Sequence, residues 1–266
     1  MLQIIGKIGH EALSPFKYFL GMLLRTYLVF KAFIMETRQN KRLPVRTTSF
    51  QVYFTGIQAL PIIILSALIL GTVVILELAT ILPSFGAGKY VERLSVIVMA
   101  RELIPIMTAL IIIGRSGTAM ATELGNMKLN REIELLDSLG INIDYFIVFP
   151  RFIGTITATL CLTVIFMSVA LAGGVIIGSF FAPPSKGLIF SQFLLAVNYE
   201  DVVIALIKAF CFGWVIAIVN CHLGLSVKKS FTEVPQVTTK GVVISIILCF
   251  VFSIFVSLYV FPSFNI

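Results

Sequence analysis

The sequence predicts an all-α integral membrane protein with an N-terminal interfacial helix, five transmembrane helices and one short helix on the cytoplasmic side. Three observations lead there. The chain of 266 residues is 58% hydrophobic and only 12% charged, whereas a soluble domain carries about 25% charged residues. Five apolar runs approach or exceed the roughly 20 residues that cross a bilayer as a helix. The Lys and Arg residues gather in alternate segments between those runs. The net charge of +7 therefore reflects topology and anionic headgroups, and nucleic acid is not an expected partner.

The elements follow in order. Residues 1–45 form an interfacial elbow region, in which Lys7, Lys17, Arg25, Lys31, Arg38, Lys41 and Arg42 are scattered among short apolar stretches. None of these stretches spans, and no apolar core precedes a cleavage site. Residues 46–266 then form one five-helix domain. The first run, Val52–Leu76, has no charge, breaks at Glu77 and ends near Pro83. The second is Leu94–Gly114, interrupted by Arg101–Glu102. The third, Phe152–Ser185, is 34 residues without a charge, so tilt, a kink around Gly173–Gly174 or an extension beyond the bilayer is expected. The fourth is Val202–Val227 with Lys208 inside, and the fifth is Gly241–Pro262.

Five spans put the termini on opposite sides. With the N-terminus inside, fifteen Lys and Arg residues fall in cytoplasmic segments and four (Lys89, Arg93, Arg101 and Lys186) outside. That asymmetry predicts a cytoplasmic N-terminus and a C-terminus on the outer side, which would be the periplasm if the membrane is a bacterial inner membrane.

Glu77, Arg101, Glu102 and Lys208 are costly in lipid, about 2.5–3.5 kcal/mol each at a helix centre. All four fall toward the outer ends of their spans. Charges at one depth suit a polar-lined cavity opening outward, and these four are its candidate lining.

The segment "GRSGTAMATELGNMKLNREIELLDSLG", Gly114–Gly140, carries two devices. Gly114, Gly117, Ala121 and Gly125 form a smooth ridge that lets another helix approach closely. Asn130–Leu139 is a second, short helix, with Asn130 at the N-cap, Glu132 and Glu134 early, and Gly140 at its end. Ile133, Leu136 and Leu139 share one face, while Arg131, Glu134 and Asp137 occupy the rest. Ten residues cannot cross a bilayer, so this helix offers a mixed face to a partner. Arg115 and Glu123 are too far apart along the helix to pair with each other.

Chemistry of other kinds is missing from the pattern. "GAGKY" at Gly86–Tyr90 fails the phosphate-loop template, because Pro83 stands where its first Gly belongs and Tyr90 follows Lys89. His10 and His222 lack Cys or carboxylate companions at ligand spacing. Cys161, Cys211, Cys221 and Cys249 all lie in apolar segments and act as small apolar side chains. No metal, cofactor or catalytic residue is expected, and any energy source would be a partner protein.

Arg101–Arg151, "RELIPIMTALIIIGRSGTAMATELGNMKLNREIELLDSLGINIDYFIVFPR", closely resembles the signature region of MlaE-type permeases. The shared residues are Arg101-Glu102, Pro105, Gly114-Arg115, Gly117, Ala119, Glu123, Gly125, Met127, Glu132, Asp137, Gly140 and Pro150-Arg151. "VPQVTTKGVVISI", Val234–Ile246, resembles a second family segment, departing from it at Pro235 and Val237. Thr122 stands where the family has Ala.

The resemblance implies the membrane subunit of an ABC transporter that moves phospholipids or related lipids with an MCE-domain lipid-binding protein. The family occurs in bacterial inner membranes and plastid envelopes, and the N-terminus, without a transit-like pattern, favours the bacterial inner membrane. Its partners would be a cytoplasmic ABC ATPase, which hydrolyses the ATP, and a second permease copy. Asn130–Leu139 would be the coupling helix that docks on the ATPase. An outward cavity between the two permeases would take the lipid, with Glu102 and its neighbour Arg101 near it. A membrane scaffold without a transported substrate is the alternative; it accounts for the docking helix but not for the intramembrane charges.

Overall fold

The computed structural model describes residues 21–22, 24–35, 45–86, 90–181, 195–228 and 230–260. Much of the expected elbow region, the centre of the "GAGKY" loop, the 182–194 segment and the end of the fifth run lie outside them. Among the described residues the chain is built of helices, five of them long and apolar enough to cross a membrane. In chain order we label them α1 (24–35), α2 (Arg46–Ser84), α3 (Arg93–Leu129), α4 (Glu132–Ser138), α5 (Asp144–Ile177), α6 (Tyr199–Gly224) and α7 (Glu233–Tyr259).

α1 is strapped to the start of α5. Arg25 pairs with Asp144 at 2.7 Å, Phe33 stacks on Phe149, and Phe30 meets Phe152 edge-on. Gly21 lies against His222 of α6, where an added Cβ would sit 3.2 Å from the imidazole.

α2 is not one uninterrupted α-helix. It turns at Gly56, passes through a 3₁₀ turn at Ile57–Ala59 and resumes at Leu60–Ser84. Pro61 explains the break, since it has no N–H to bond back to the preceding turn. Beyond it, Ile63, Ala67, Gly71, Ile75 and Ala79 form the buried stripe. This stripe lies along α5. A methyl group on Gly71 would collide with the Ala170 backbone, and one on Gly174 would lie 2.6 Å from the Gly71 carbonyl carbon. The paired glycines therefore set a close crossing, and the helix runs through Gly173–Gly174 without a break, to Phe181.

α6 is the central helix and the most covered of the five, packed against α3, α5 and α7. α2 and α7 are the least covered and carry much of the outward apolar surface. The core runs through Ile63, Met99, Ile112, Phe166 and Phe212. By length, α6 measures about 39 Å at 1.5 Å per residue, enough for the bilayer core with a margin.

α3 carries two π-helical stretches, Ile97–Leu103 and Ile113–Gly117, and α5 opens with a third, Asp144–Val148. Such insertions turn side chains out of α-helical register and recur at functional sites. Here the first holds Arg101–Glu102 and the second holds Arg115.

Candidate functional site

The charges of the second run are gathered by the fold into one cluster. Lys208, on α6, is completely buried. Its ammonium donates to Glu102 Oε1, to Ser257 Oγ and to the Arg101 carbonyl oxygen, each at 2.8 Å. An ammonium has three protons to give, so all are used. Pro105 helps supply the third acceptor. It sits four residues after Arg101 and has no N–H, so the usual α-helical bond to that carbonyl cannot form.

Glu102 is held from the other side by α7. Its Oε1 accepts from Ser257 Oγ at 2.7 Å and its Oε2 from Ser253 Oγ at 3.4 Å. Unlike Lys208, its side chain is 45% exposed. One carboxylate edge thus faces outward from an otherwise closed pair.

A second acid completes the cluster. Asp201, in the first turn of α6, is completely buried. It takes Arg93 on Oδ2 and Arg101 Nε on Oδ1, both at 2.5 Å, and accepts the Asn198 backbone N–H on Oδ2 at 3.1 Å. That last bond is half of a capping box, with the Asn198 side chain taking the Asp201 N–H. Arg93 also donates to the Ala196 carbonyl at 2.8 Å. Three cations meet two carboxylates, a formal +1, with hydroxyls filling the gaps. The charges are paired within the cluster, and among the described residues it holds no nucleophile–base pair that would suggest covalent chemistry.

Of the four charges singled out in the sequence, Arg101, Glu102 and Lys208 meet. Glu77 does not: it is exposed on α2, with no ion pair among the described residues. Depth alone grouped it with the others, but it points off a different helix face. Asp201, Arg93, Ser253 and Ser257 were missed. Two signals were present in the sequence. Asn198 and Asp201 spell a capping box at the head of the fourth run. Ser245, Cys249, Ser253 and Ser257 recur every four residues, a small polar stripe along α7.

The other end of α3 carries the ridge and the short helix. Gly117 faces Asn220, Ala121 is buried beside Gly224, and Gly125 meets Val234 and Val227. Gly114 does not join this contact; it is exposed and has open space around it. Arg115 and Glu123 take separate partners. Arg115 donates to Gln58 Oε1 at 2.8 Å and lies over the Phe54 ring, while Glu123 pairs with Arg151 at 2.8 Å.

α4 starts later than expected. Asn130 is not its N-cap; the Asn130 N–H still bonds Asn126 O at 2.9 Å, closing α3. Arg131 makes the turn instead, in the left-handed conformation at φ 59°. Asn130 reaches Glu132 Oε1 weakly, at 3.4 Å. At the far end Gly140 has φ 73°. Its N–H bonds Asp137 O at 2.9 Å, and Ile141 N–H bonds Leu136 O at 3.0 Å. Both bonds belong to a Schellman motif. Ile133 and Leu136 pack into a small core with Val29, Leu124 and Val148. Leu139 is not on that face: it is exposed, with Leu135, Glu132, Glu134 and Asp137. The exposed side is therefore two leucines ringed by acids.

Comparison with known proteins agrees with this architecture. Residues 48–259 match the family model "Permease MlaE". A probable ABC transporter permease protein of Rickettsia bellii is 29% identical over 198 residues, covering 74% of this chain and 76% of the relative. A probable ABC transporter permease protein of Synechocystis is 29% identical over 231 residues, 86% of each chain. The intermembrane phospholipid transport system permease protein MlaE of Haemophilus influenzae is 25% identical over 244 residues, 91% of this chain and 92% of that one. With the five spans and the match over most of its length, the chain belongs to the MlaE permease family, as a multi-pass ABC transporter permease.

Proposed function

We propose that this chain is the membrane subunit of an ABC transporter that moves phospholipids, as the name of its Haemophilus relative says of that protein. Two copies assemble on two cytoplasmic ATPases, and an MCE-domain protein receives or delivers the lipid on the outer side. The membrane is a bacterial inner membrane, with the N-terminus and α4 cytoplasmic.

The observation that carries this reading is the polarity of α3. One end holds Arg101 and Glu102 in the charge cluster, and the other leads into the exposed face of α4. Residues 102 and 129 are separated by about 40 Å of helix. A push on α4 therefore has a rigid lever to the outer end. The half-exposed Glu102 and the buried cations behind it would meet a headgroup, and apolar helix faces would take acyl chains.

The test is reconstitution with the ATPase and the MCE-domain partner in proteoliposomes. ATP-dependent transfer of a fluorescent phospholipid is expected. A scaffold without a transported substrate would hold the ATPase and move no lipid. In the same complex, reversing Glu134 and Asp137 to Lys lowers ATPase co-purification severalfold; full retention counts against docking through α4.

A further inference from the structure

A second polar site lies at the end of the molecule away from the charge cluster. It is a cavity of about 510 Å³ between the first turns of α2, the inner end of α3 and the start of α5. Phe50, Phe54 and Phe146 form apolar walls, and Gln51, Glu123 and Arg151 form the polar end. Phe50 and Phe146 are exposed, so the cavity opens at the surface of the bundle.

Arg151 is the unusual member. It is 7% exposed. One guanidinium nitrogen, Nη2, pairs with Glu123 at 2.8 Å, while Nη1 is buried without a hydrogen-bond partner. A buried donor left unpaired carries the full cost of lost hydration, more for a charged group. The fold nevertheless holds the side chain there. Gly154 brings Gln51 of α2 against α5 so closely that a methyl group would sit 2.8 Å from Gln51 Cγ. Glu123, by contrast, is 61% exposed. Arg115, whose guanidinium lies 5.5 Å from the centroid of the Phe54 ring, adds positive charge nearby.

A cation with a spare donor at the base of an aromatic-walled cavity fits an amphiphile with an anionic head. We infer that this cavity binds an anionic phospholipid of the leaflet on the α4 side, with its phosphate on Arg151 and an acyl chain along Phe50 and Phe146. Arginine's planar fork suits a phosphate oxygen pair. Glu123 is the apo-state counter-ion, which the phosphate displaces. The site needs only a membrane-embedded chain, and it stands whether or not the outer cluster moves lipid.

The experiment is photolabelling of the full-length chain in nonionic detergent, with sites mapped by peptide mass spectrometry. The probes are phosphatidylglycerol carrying an acyl-chain diazirine and the matching diacylglycerol, which lacks the phosphate. Phosphatidylglycerol labels peptides containing Phe50 and Phe146 at least fivefold above diacylglycerol. Arg151→Gln lowers that labelling about tenfold, the scale of a charge-assisted hydrogen bond, and Arg151→Lys restores part of it. Glu123→Gln raises it, because the competing carboxylate is gone; a residue pair serving only the fold would not give that increase. Equal labelling by diacylglycerol, or no gain with Glu123→Gln, overturns the inference. So does loss of labelling with millimolar inorganic phosphate, which would mark a free-phosphate site. Crosslinking of two copies through Phe50 would show that a second chain covers the cavity, and also overturns it.

Discussion

Lys208 and Glu102 are partners of unequal burial, and that inequality decides how each responds to substitution. Lys208 is completely enclosed, whereas the Glu102 side chain is 45% exposed. Glu102→Gln leaves a buried ammonium without a countercharge. Breaking a buried pair in this way costs roughly 3–5 kcal/mol, and the partial exposure of Glu102 puts the expected loss at the low end. Lys208→Met leaves a carboxylate that water and two serines can satisfy, so its cost is smaller, about 2 kcal/mol or less. Thermal unfolding of the two variants in one detergent checks the order; equal losses would show that the exposed edge of Glu102 does not matter. A charge reversal at Lys208, a candidate lining residue of the cavity expected from the sequence, is therefore first a test of stability. Asp201 belongs with Lys208. Replacing it with Ala removes the carboxylate that Arg93 and Arg101 share and the cap on α6, with an expected loss of about 3 kcal/mol by the same measurement.

Helix contacts turn on a few small residues, and the glycines are not equivalent. Gly71 and Gly174 lie at a backbone-to-backbone crossing of α2 and α5. Their conversion to Ala forces the helices apart, and a drop of several degrees in melting temperature is expected for each. Gly114→Ala meets nothing within 4 Å. It should be neutral or gain up to about 1 kcal/mol through helix propensity. Gly114 and Gly117 stand three apart in one motif, yet only Gly117 touches a neighbour, because the π-helical stretch Ile113–Gly117 rotates the two relative to each other. Pattern cannot reveal that rotation, since nothing in the spelling of the segment marks a π turn. The same limit explains α4, whose length and closing Gly140 were legible while its first residue was not. Asn130 suits an N-cap, but the preceding helix claims its N–H first.

At the scale of the molecule, the two ends of the bundle carry different chemistry. The charge cluster joins α3, α6 and α7, and the opposite end joins α1, α3, α4 and α5. Orientation in the membrane is open to direct measurement. In a background with the four cysteines changed to Ala, Leu135→Cys reacts with a membrane-impermeant maleimide only from the cytoplasmic side. Phe85→Cys, at the far end of α2, reacts only from the other. The reverse pattern would invert the topology and place the α4 face away from any cytoplasmic ATPase.

Hydropathy and spacing determined the class of this protein, the number of its spans and the short amphipathic helix between the second and third. Those features are set by local free energy: a run of apolar residues enters lipid whatever its neighbours are, and a Pro or Gly acts within its own turn. Arg101, Glu102 and Lys208 were identifiable in the sequence because a charge in lipid is costly wherever it points. Which acid each cation meets was decided only by the tertiary structure. Glu102 and Lys208 are 106 residues apart in the chain, and Arg93 and Asp201 are 108 apart. Pairing at that separation depends on how α3, α6 and α7 are rotated against one another, and that rotation follows from side-chain packing along entire helices. For the same reason Glu77, similar in depth and cost, stands apart from the cluster, while Asp201 lies buried at its centre.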